Sequence, residues 1–263
     1  MSAPAPAGPL ALTLDGRAVD AGAPALPPLE RGHAYGDGLF ETIPAPGGQA
    51  HRPGDHLERL RRSAAALGLP VPGPGTLEDA LAATLAAAGA HAGLARVSWS
   101  RGAGTRGFAP GAAGPPRLLV EAWPAPAPAP QGVRAVSVRG VSPGELAAHK
   151  TLSAIHYVVA AARARAAGAD EALLVDPRGR VLESAGANVF AVLGGRVVTP
   201  PASLPLFPGL GRARLLKELA RGAGMPALEH AFDLAALARA DEAFLVSAVR
   251  GIVPLVEIGR AHV

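Results

Sequence analysis

The run PAPAPAP, Pro124 to Pro130, constrains this chain more than any other stretch. A proline in every second position removes backbone donors and fixes φ, which disfavours helix and interior strand and favours a stiff, extended connector. It divides the 263 residues into a first part, 1–123, and a second part, 131–263, each of ordinary domain size. Hydrophobic residues make up 49% of the chain but aromatics only 4%. Each core must therefore be filled by Ala, Val and Leu, and there is apolar material enough to exclude wholesale disorder.

The first part opens with ALTLDGRAVD, a hairpin turning at Asp15-Gly16. The glycine-rich passage RGHAYGDGLFETI follows. A helix is predicted from about Asp55, with Leu57, Leu60, Ala64 and Leu67 on one face, and a second from Thr76, where Thr76 and Asp79 resemble a capping box. The strands ARVSWS and RLLVEAW flank the turn-rich RGAGTRGFAPGAAGPP. The second part reads strand (VRAVSV), helix (about Ser153 to Ala167), strands (EALLVD, NVFAVL, RVVTP), helix (about Gly211 to Arg221), short helix (DLAALARA), then strands EAFLVS and IVPLVEI. Helices and strands mix without regular βαβ alternation, which predicts α+β domains and not a doubly wound sheet.

Charge excludes more than it assigns. The net charge is +4, but the basic residues are spread along the chain, with neither the stripe nor the stacking aromatics of a nucleic-acid binder. The eight histidines have no ligand spacing. With no cysteine, no apolar run of membrane-spanning length and no charged leader-like start, a cytoplasmic setting is the expectation.

Only Lys150 and Lys217 are lysines among 25 basic residues. Arg stays protonated, whereas Lys can lose its proton and form a Schiff base, so a lysine kept in an arginine-rich chain is a candidate for work arginine cannot do. Lys217, in RARLLKELARG, falls among charged neighbours opposite Leu215, Leu216 and Leu219 and reads as a solvated helix lysine. Lys150, in AAHKTLSAIHY at the mouth of a helix, reads either as a solvated loop lysine or as a partly desolvated amine. Glu183, in VLESAGANVF, is either a turn carboxylate between two apolar strands or the partner of a protonated ring nitrogen, as in a pyridoxal site. LFPGLGRARLL leads into a helix whose first amides, at Leu210 and Gly211, could cradle a phosphate. Arg59 in HLERL is an exposed arginine or a phosphate clamp.

The ordered set RGHAYGDGLFET, DHLERL, HKTLS, DEALLVDPRGRVLESAGANVF, LFPGLGR and SAVRGIVPL resembles the class IV pyridoxal-phosphate enzymes over about residues 10–258. That resemblance implies the fold-type IV architecture: two domains with pyridoxal 5′-phosphate between them, in a homodimer. It makes Lys150 the Schiff-base lysine, with Glu183, 33 residues downstream, on the ring nitrogen. Arg59, Leu210, Gly211, Ser247 and Ala248 become the phosphate site. The loop SRGAGTRGFAP resembles the RGxGxRGY signature of the family's aminodeoxychorismate lyases. The implied reaction is conversion of 4-amino-4-deoxychorismate to 4-aminobenzoate and pyruvate, a folate-biosynthesis step, with transamination of a branched-chain or D-amino acid as the alternative. Thr42 would then serve as a proton relay, and Arg106, Arg31 and Tyr35 would meet the substrate.

Overall fold

The structure is a computed structural model and describes residues 8–22, 26–111, 114–125, 127, 131–142, 144–222, 227–259 and 261–262. Pro126 and Pro128–Pro130 of the proline run lie outside the described residues, and Pro124 ends a strand. The chain forms two compact units, Met1–Ala127 with Lys150–Ser153, and Pro128–His149 with Ala154–Val263. The four residues of the HKTLS motif from Lys150 onward thus group with the first unit.

The first unit contains β1 (Ala11–Leu14), β2 (Arg17–Ala18), α1 (Arg31–Tyr35), β3 (Gly38–Pro44), α2 (Pro53–Ala66), α3 (Thr76–Ala88), β4 (Ala92–Ser100) and β5 (Arg117–Pro124). Its antiparallel sheet runs β2-β1-β5-β4-β3. The β1–β2 hairpin turns at Asp15 and Gly16 with φ of 51° and 77°, the positive pair that a tight two-residue turn demands. Strand alternation divides the sheet into two faces. Leu39, Ile43, Ala95, Val97, Trp99, Leu118, Val120 and Ala122 pack against Leu57, Leu60 and Ala64 of α2 and Leu77, Leu81 and Leu85 of α3. The other face carries Phe40, Thr42 and Arg96.

One local expectation changes. Thr76 is the first helical residue of α3, capped by Gly75 without a side-chain hydrogen bond, so the Thr76–Asp79 capping box does not form. The glycine-rich RGHAYGDGLFETI holds α1 and β3 as far as Ile43, one residue short of the strand's end. Alternation in GLFETIP is hidden from simple inspection because Glu41 occupies an inward position.

The second unit contains β6 (Val133–Arg139), α4 (Ile155–Ala166), β7 (Glu171–Val175), β8 (Val181–Ser184), β9 (Asn188–Leu193), β10 (Arg196–Thr199), α5 (Leu210–Gly222), β11 (Ala227–Glu229), α6 (Leu234–Leu237), β12 (Glu242–Ser247), β13 (Gly251–Ile258) and β14 (Ala261–His262). Its mixed sheet is ordered β11-β10-β9-β12-β13-β6-β7-β8, with β14 on β13. Alternate residues of β7 enter different cores: Leu173 joins Val133, Val189 and Leu245, whereas Ala172 and Leu174 join Ala160 and Ala164 of α4. Burial on both faces explains why EALLV reads as an unbroken apolar run. Leu215, Leu216 and Leu219 of α5 pack against Phe190 and Val246, and Lys217 is exposed. Glu183 stands on β8, not in a turn.

Leu57 is fully buried between α2 and the sheet. Leu57→Ala should lower unfolding free energy by about 2–5 kcal/mol, read from the midpoint of urea denaturation; a midpoint equal to the parent's would show that α2 does not anchor the first core.

Candidate active site

The geometry around Lys150 starts from backbone. Phe40 N–H donates to Lys150 O at 2.8 Å, Leu152 N–H donates to Gly38 O at 2.9 Å, and Thr151 forms a bridge with Leu39. Lys150–Ser153 is therefore laid as a short extra strand along β3. Ser153 Oγ donates toward the carbonyls of Tyr35 and Gly36, at 3.3 and 3.4 Å, at the C-terminus of α1. Gly36 has φ 67°, and a Cβ there would lie 2.9 Å from Ser153 N, so only glycine both ends α1 and admits the strap. The spacing YGDGLF is thereby explained: the glycines leave room for HKTLS. Lys150 Nζ lies 4.5 Å from the centre of the Phe40 ring, and the Arg96 guanidinium carbon lies 3.9 Å from the same centre.

Thr42, two residues beyond Phe40, faces the same side and pairs in register with Arg96. Arg96 Nε is 3.6 Å from Glu121 Oε2. Burial lowers the proton affinity of Arg96 against the raising influence of Glu121, and burial raises Glu121 against the lowering influence of Arg96. Their mutual attraction does not fully offset the water both have lost.

Arg59 lies on the buried side of α2. Its Nε and Nη2 donate to the two oxygens of Glu41, both at 2.7 Å, and His56 Nδ1 is 3.0 Å from Glu41 Oε2. Glu41 is 1% exposed. Burial pushes its carboxyl up, but the hydrogen bonds of His56 and Arg59 and their charges outweigh this and hold it below the usual range. The fork-to-fork pair fixes the guanidinium plane.

In the second unit, Glu183 is 3% exposed. Tyr157 OH donates to its Oε1 at 2.7 Å and Phe207 N–H to its Oε2 at 3.0 Å. Asn188 Nδ2 donates to Phe207 O at 2.7 Å, and Gly209 N–H donates to Asn188 Oδ1 at 3.2 Å, so β8 and β9 together hold the loop that starts α5. A Cβ on Gly211 would lie 3.2 Å from the carbonyl carbon of Ser247 and 3.5 Å from Ala248 N. The first turn of α5, with Leu210 and Gly211, thus sits directly against the Ser247–Ala248 backbone. Converging amides at a helix start, opened by a missing side chain, fit a phosphate group. Lys150 supplies a primary amine, a group able to bond an aldehyde.

The lyase-like loop is strapped to α1. Arg31 is 3% exposed; its Nε donates to Asp37 at 2.7 Å, and its Nη atoms donate to the carbonyls of Gly107 and Phe108 at 2.9 and 3.0 Å. Gly107 N–H donates to Tyr35 OH at 3.0 Å, and Arg101 Nε donates to Asp37 at 2.8 Å. Arg31 and Tyr35 hold this loop, while Arg106 and Phe108 project from it exposed. Burial raises Asp37, and its hydrogen bonds and charge contacts with Arg101 and Arg31 bring it below the ordinary value.

Sequence reasoning grouped Lys150 with Thr42, and Leu210 and Gly211 with Ser247 and Ala248; each group is close within one unit. It missed Glu41, Arg96, Tyr157 and Asn188. A charged residue inside the strand ARVSWS was the available sign for Arg96. Nothing local marks the others, whose partners are 15 to 26 residues away.

Residues 38–258 match the family model for class IV amino-transferases. The chain is 30% identical over 237 residues to the aminodeoxychorismate lyase of Vibrio harveyi, covering 86% of this chain and 84% of that one. Among solved structures, 4-amino-4-deoxychorismate lyase from Pseudomonas aeruginosa superposes with a TM-score of 0.82 at 35% identity, covering 95% of this chain and 92% of that one. A branched-chain aminotransferase from the thermophilic archaeon Thermoproteus uzoniensis, solved with norvaline, gives 0.82 at 30% identity, covering 97% and 90%.

Glu41 and Asp37, two of the described carboxyls held below their ordinary values, contribute to an acid limit. Glu41 and Asp37 bind protons less readily folded than unfolded, so their stabilisation is complete above about pH 4–5 and is lost as pH falls through their lowered folded values. Melting temperature should be level from neutrality to about pH 5 and fall below about pH 4, and less steeply in Glu41→Gln with Asp37→Asn. An equally steep acid branch in that double variant would assign the loss to other groups.

Proposed function

The chain belongs to the class IV amino-transferase family, whose cofactor is pyridoxal 5′-phosphate, and on that premise we propose that it is a lyase converting 4-amino-4-deoxychorismate to 4-aminobenzoate and pyruvate. The observation that carries this reading is the polar face of the first sheet, where Lys150 and Arg96 both stand against Phe40 with Thr42 beside them. The substrate has two carboxylates and an enolpyruvyl ether to expel. It needs cations that hold it and a hydroxyl that can hand a proton to the leaving oxygen. Similarity to the Vibrio and Pseudomonas lyases supports the same reading.

Bound pyridoxal phosphate supplies an electron sink for the pair left when a proton departs from the amine-bearing carbon. In this reading Lys150 would hold the cofactor through its amine and would accept the proton from the amine-bearing carbon. Glu183 keeps a proton on the ring nitrogen. Arg59, aimed by Glu41, holds the phosphate with the backbone of Leu210, Gly211, Ser247 and Ala248. Thr42 relays a proton to the leaving oxygen, passing on the one that Lys150 has taken from the amine-bearing carbon. Arg96 pairs with a substrate carboxylate. Tyr35 and Arg31 act by fixing the loop that carries Arg106, which meets the outer end of the substrate. A homodimer belongs to this reading; Ile155, Val158 and Val159 form an exposed apolar stripe on α4 suited to burial in one.

The second reading is transamination of a branched-chain or D-amino acid with 2-oxoglutarate, favoured by similarity to the Thermoproteus enzyme. It uses Lys150 and Glu183 alike.

Purified protein incubated with aminodeoxychorismate should form aminobenzoate, and Lys150→Arg should form none and lack the visible absorbance of bound cofactor. Arg96→Ala should lower aminobenzoate formation at least about tenfold with that absorbance intact, and exposed Arg106→Ala should lower it less. Ready formation of glutamate from an amino acid and 2-oxoglutarate, without aminobenzoate, would replace the lyase by the transaminase.

A further inference from the structure

Glu183 is a carboxylate placed deep in the second unit, and its two oxygens are gripped from different elements. Oε2 takes an amide proton from Phe207, whose carbonyl is fixed in turn by Asn188. Oε1 takes the hydroxyl proton of Tyr157, on the first turn and a half of α4, at 2.7 Å. Burial and the neighbouring Glu183 both raise the proton affinity of this phenol far above its ordinary value. Tyr157 therefore stays protonated at every working pH and acts only as a donor. A carboxylate with a donor on each oxygen is fixed in plane and favoured as the anion.

We propose that Tyr157 is a positioning residue that aims the Glu183 carboxylate and sets how strongly it holds a proton on the cofactor's ring nitrogen. The proposal rests on the functional reading above. The positive charge of the ring, and with it the capacity of the site to absorb electrons, is then tuned from α4, five residues beyond the Lys150–Leu152 strap. The phosphate-binding residues are a separate set, so Tyr157 governs the electronics of the bound cofactor and not its retention. The other titratable ring against Tyr157 is His156, with centroids 4.1 Å apart; burial lowers its proton affinity, so it is neutral throughout a titration read above pH 7.

Tyr35 and Tyr157 are the chain's two tyrosines, which gives a probe that needs no catalysis. In protein grown with 3-fluorotyrosine, Glu183→Gln should displace the ¹⁹F resonance that Tyr157→Phe removes, and leave the Tyr35 resonance in place. In the holoprotein, Tyr157→Phe should raise the pH midpoint of the cofactor's visible absorbance by about half a unit or more, roughly threefold in proton affinity. A less positive ring repels the titrating proton less. Affinity for pyridoxal phosphate should change less than about threefold. Fluorination of the parent, which makes the phenol a stronger donor, should move the midpoint the opposite way. An unmoved resonance, or an unchanged midpoint in fully loaded Tyr157→Phe, overturns the proposal. A parent protein that takes up no pyridoxal phosphate overturns the functional reading itself, and does so whatever the ¹⁹F spectrum shows.

Discussion

The short pairing of Lys150–Ser153 with β3 is the contact on which the site depends. A lysine in a loop has four rotatable bonds and no fixed address. Here its backbone is locked by Lys150 O and Leu152 N into a ladder with Phe40 and Gly38, and its side chain lies against Phe40. The arrangement requires β3 to keep an edge for the strap. In the sheet order β2-β1-β5-β4-β3 that edge is the last one, and an edge strand is where unpaired backbone groups await a partner.

Buried carboxylates do the aiming elsewhere. Glu41 fixes Arg59 with two parallel bonds, Asp37 joins Arg31 to Arg101, and Glu183 links α4 to the loop before α5. Removing either member of such a pair leaves a buried charge without its complement, which costs more than the pair contributes net. Each carboxylate therefore works as a geometric device, holding a cation or a loop that would otherwise sample many rotamers. Asp37 shows the logic at its simplest. One oxygen receives both guanidinium groups, so α1, β4 and the loop bearing Arg106 are tied at a single atom.

What was legible in the sequence was whatever is encoded locally. Asp15-Gly16 specifies its turn, Leu57, Leu60 and Ala64 mark the face of α2, and LFPGLGR announces a helix start. The lysine-poor composition singled out Lys150 before any resemblance was considered. VLES was given no strand of its own because a polar pair, Glu183 and Ser184, ends it, and propensity alone reads such residues as a turn. The aiming partners were illegible for a different reason: Glu41, Tyr157 and Asn188 act across 15 to 26 residues, and no periodicity records a contact at that range. Arg31 was read as a substrate arginine because its charge is visible in sequence, whereas the carbonyls of Gly107 and Phe108 that occupy it are not.

The electrostatics of the first sheet's outer face favours one kind of substrate over another. Arg96 and Glu121 are both partly withdrawn from water, yet at 3.6 Å they are too far apart for a strong charge-assisted bond, and burial remains the larger influence on each. A guanidinium in that condition gains more from an arriving carboxylate than one already satisfied, as Arg31 is. A branched aliphatic side chain laid against Arg96, Thr42 and Ser98 would bury apolar surface on polar groups and strip them of water without replacing it. A second carboxylate would instead complete the pairing of Arg96. On the reading proposed above, the face is matched to a dicarboxylate, a class that includes aminodeoxychorismate and 2-oxoglutarate alike.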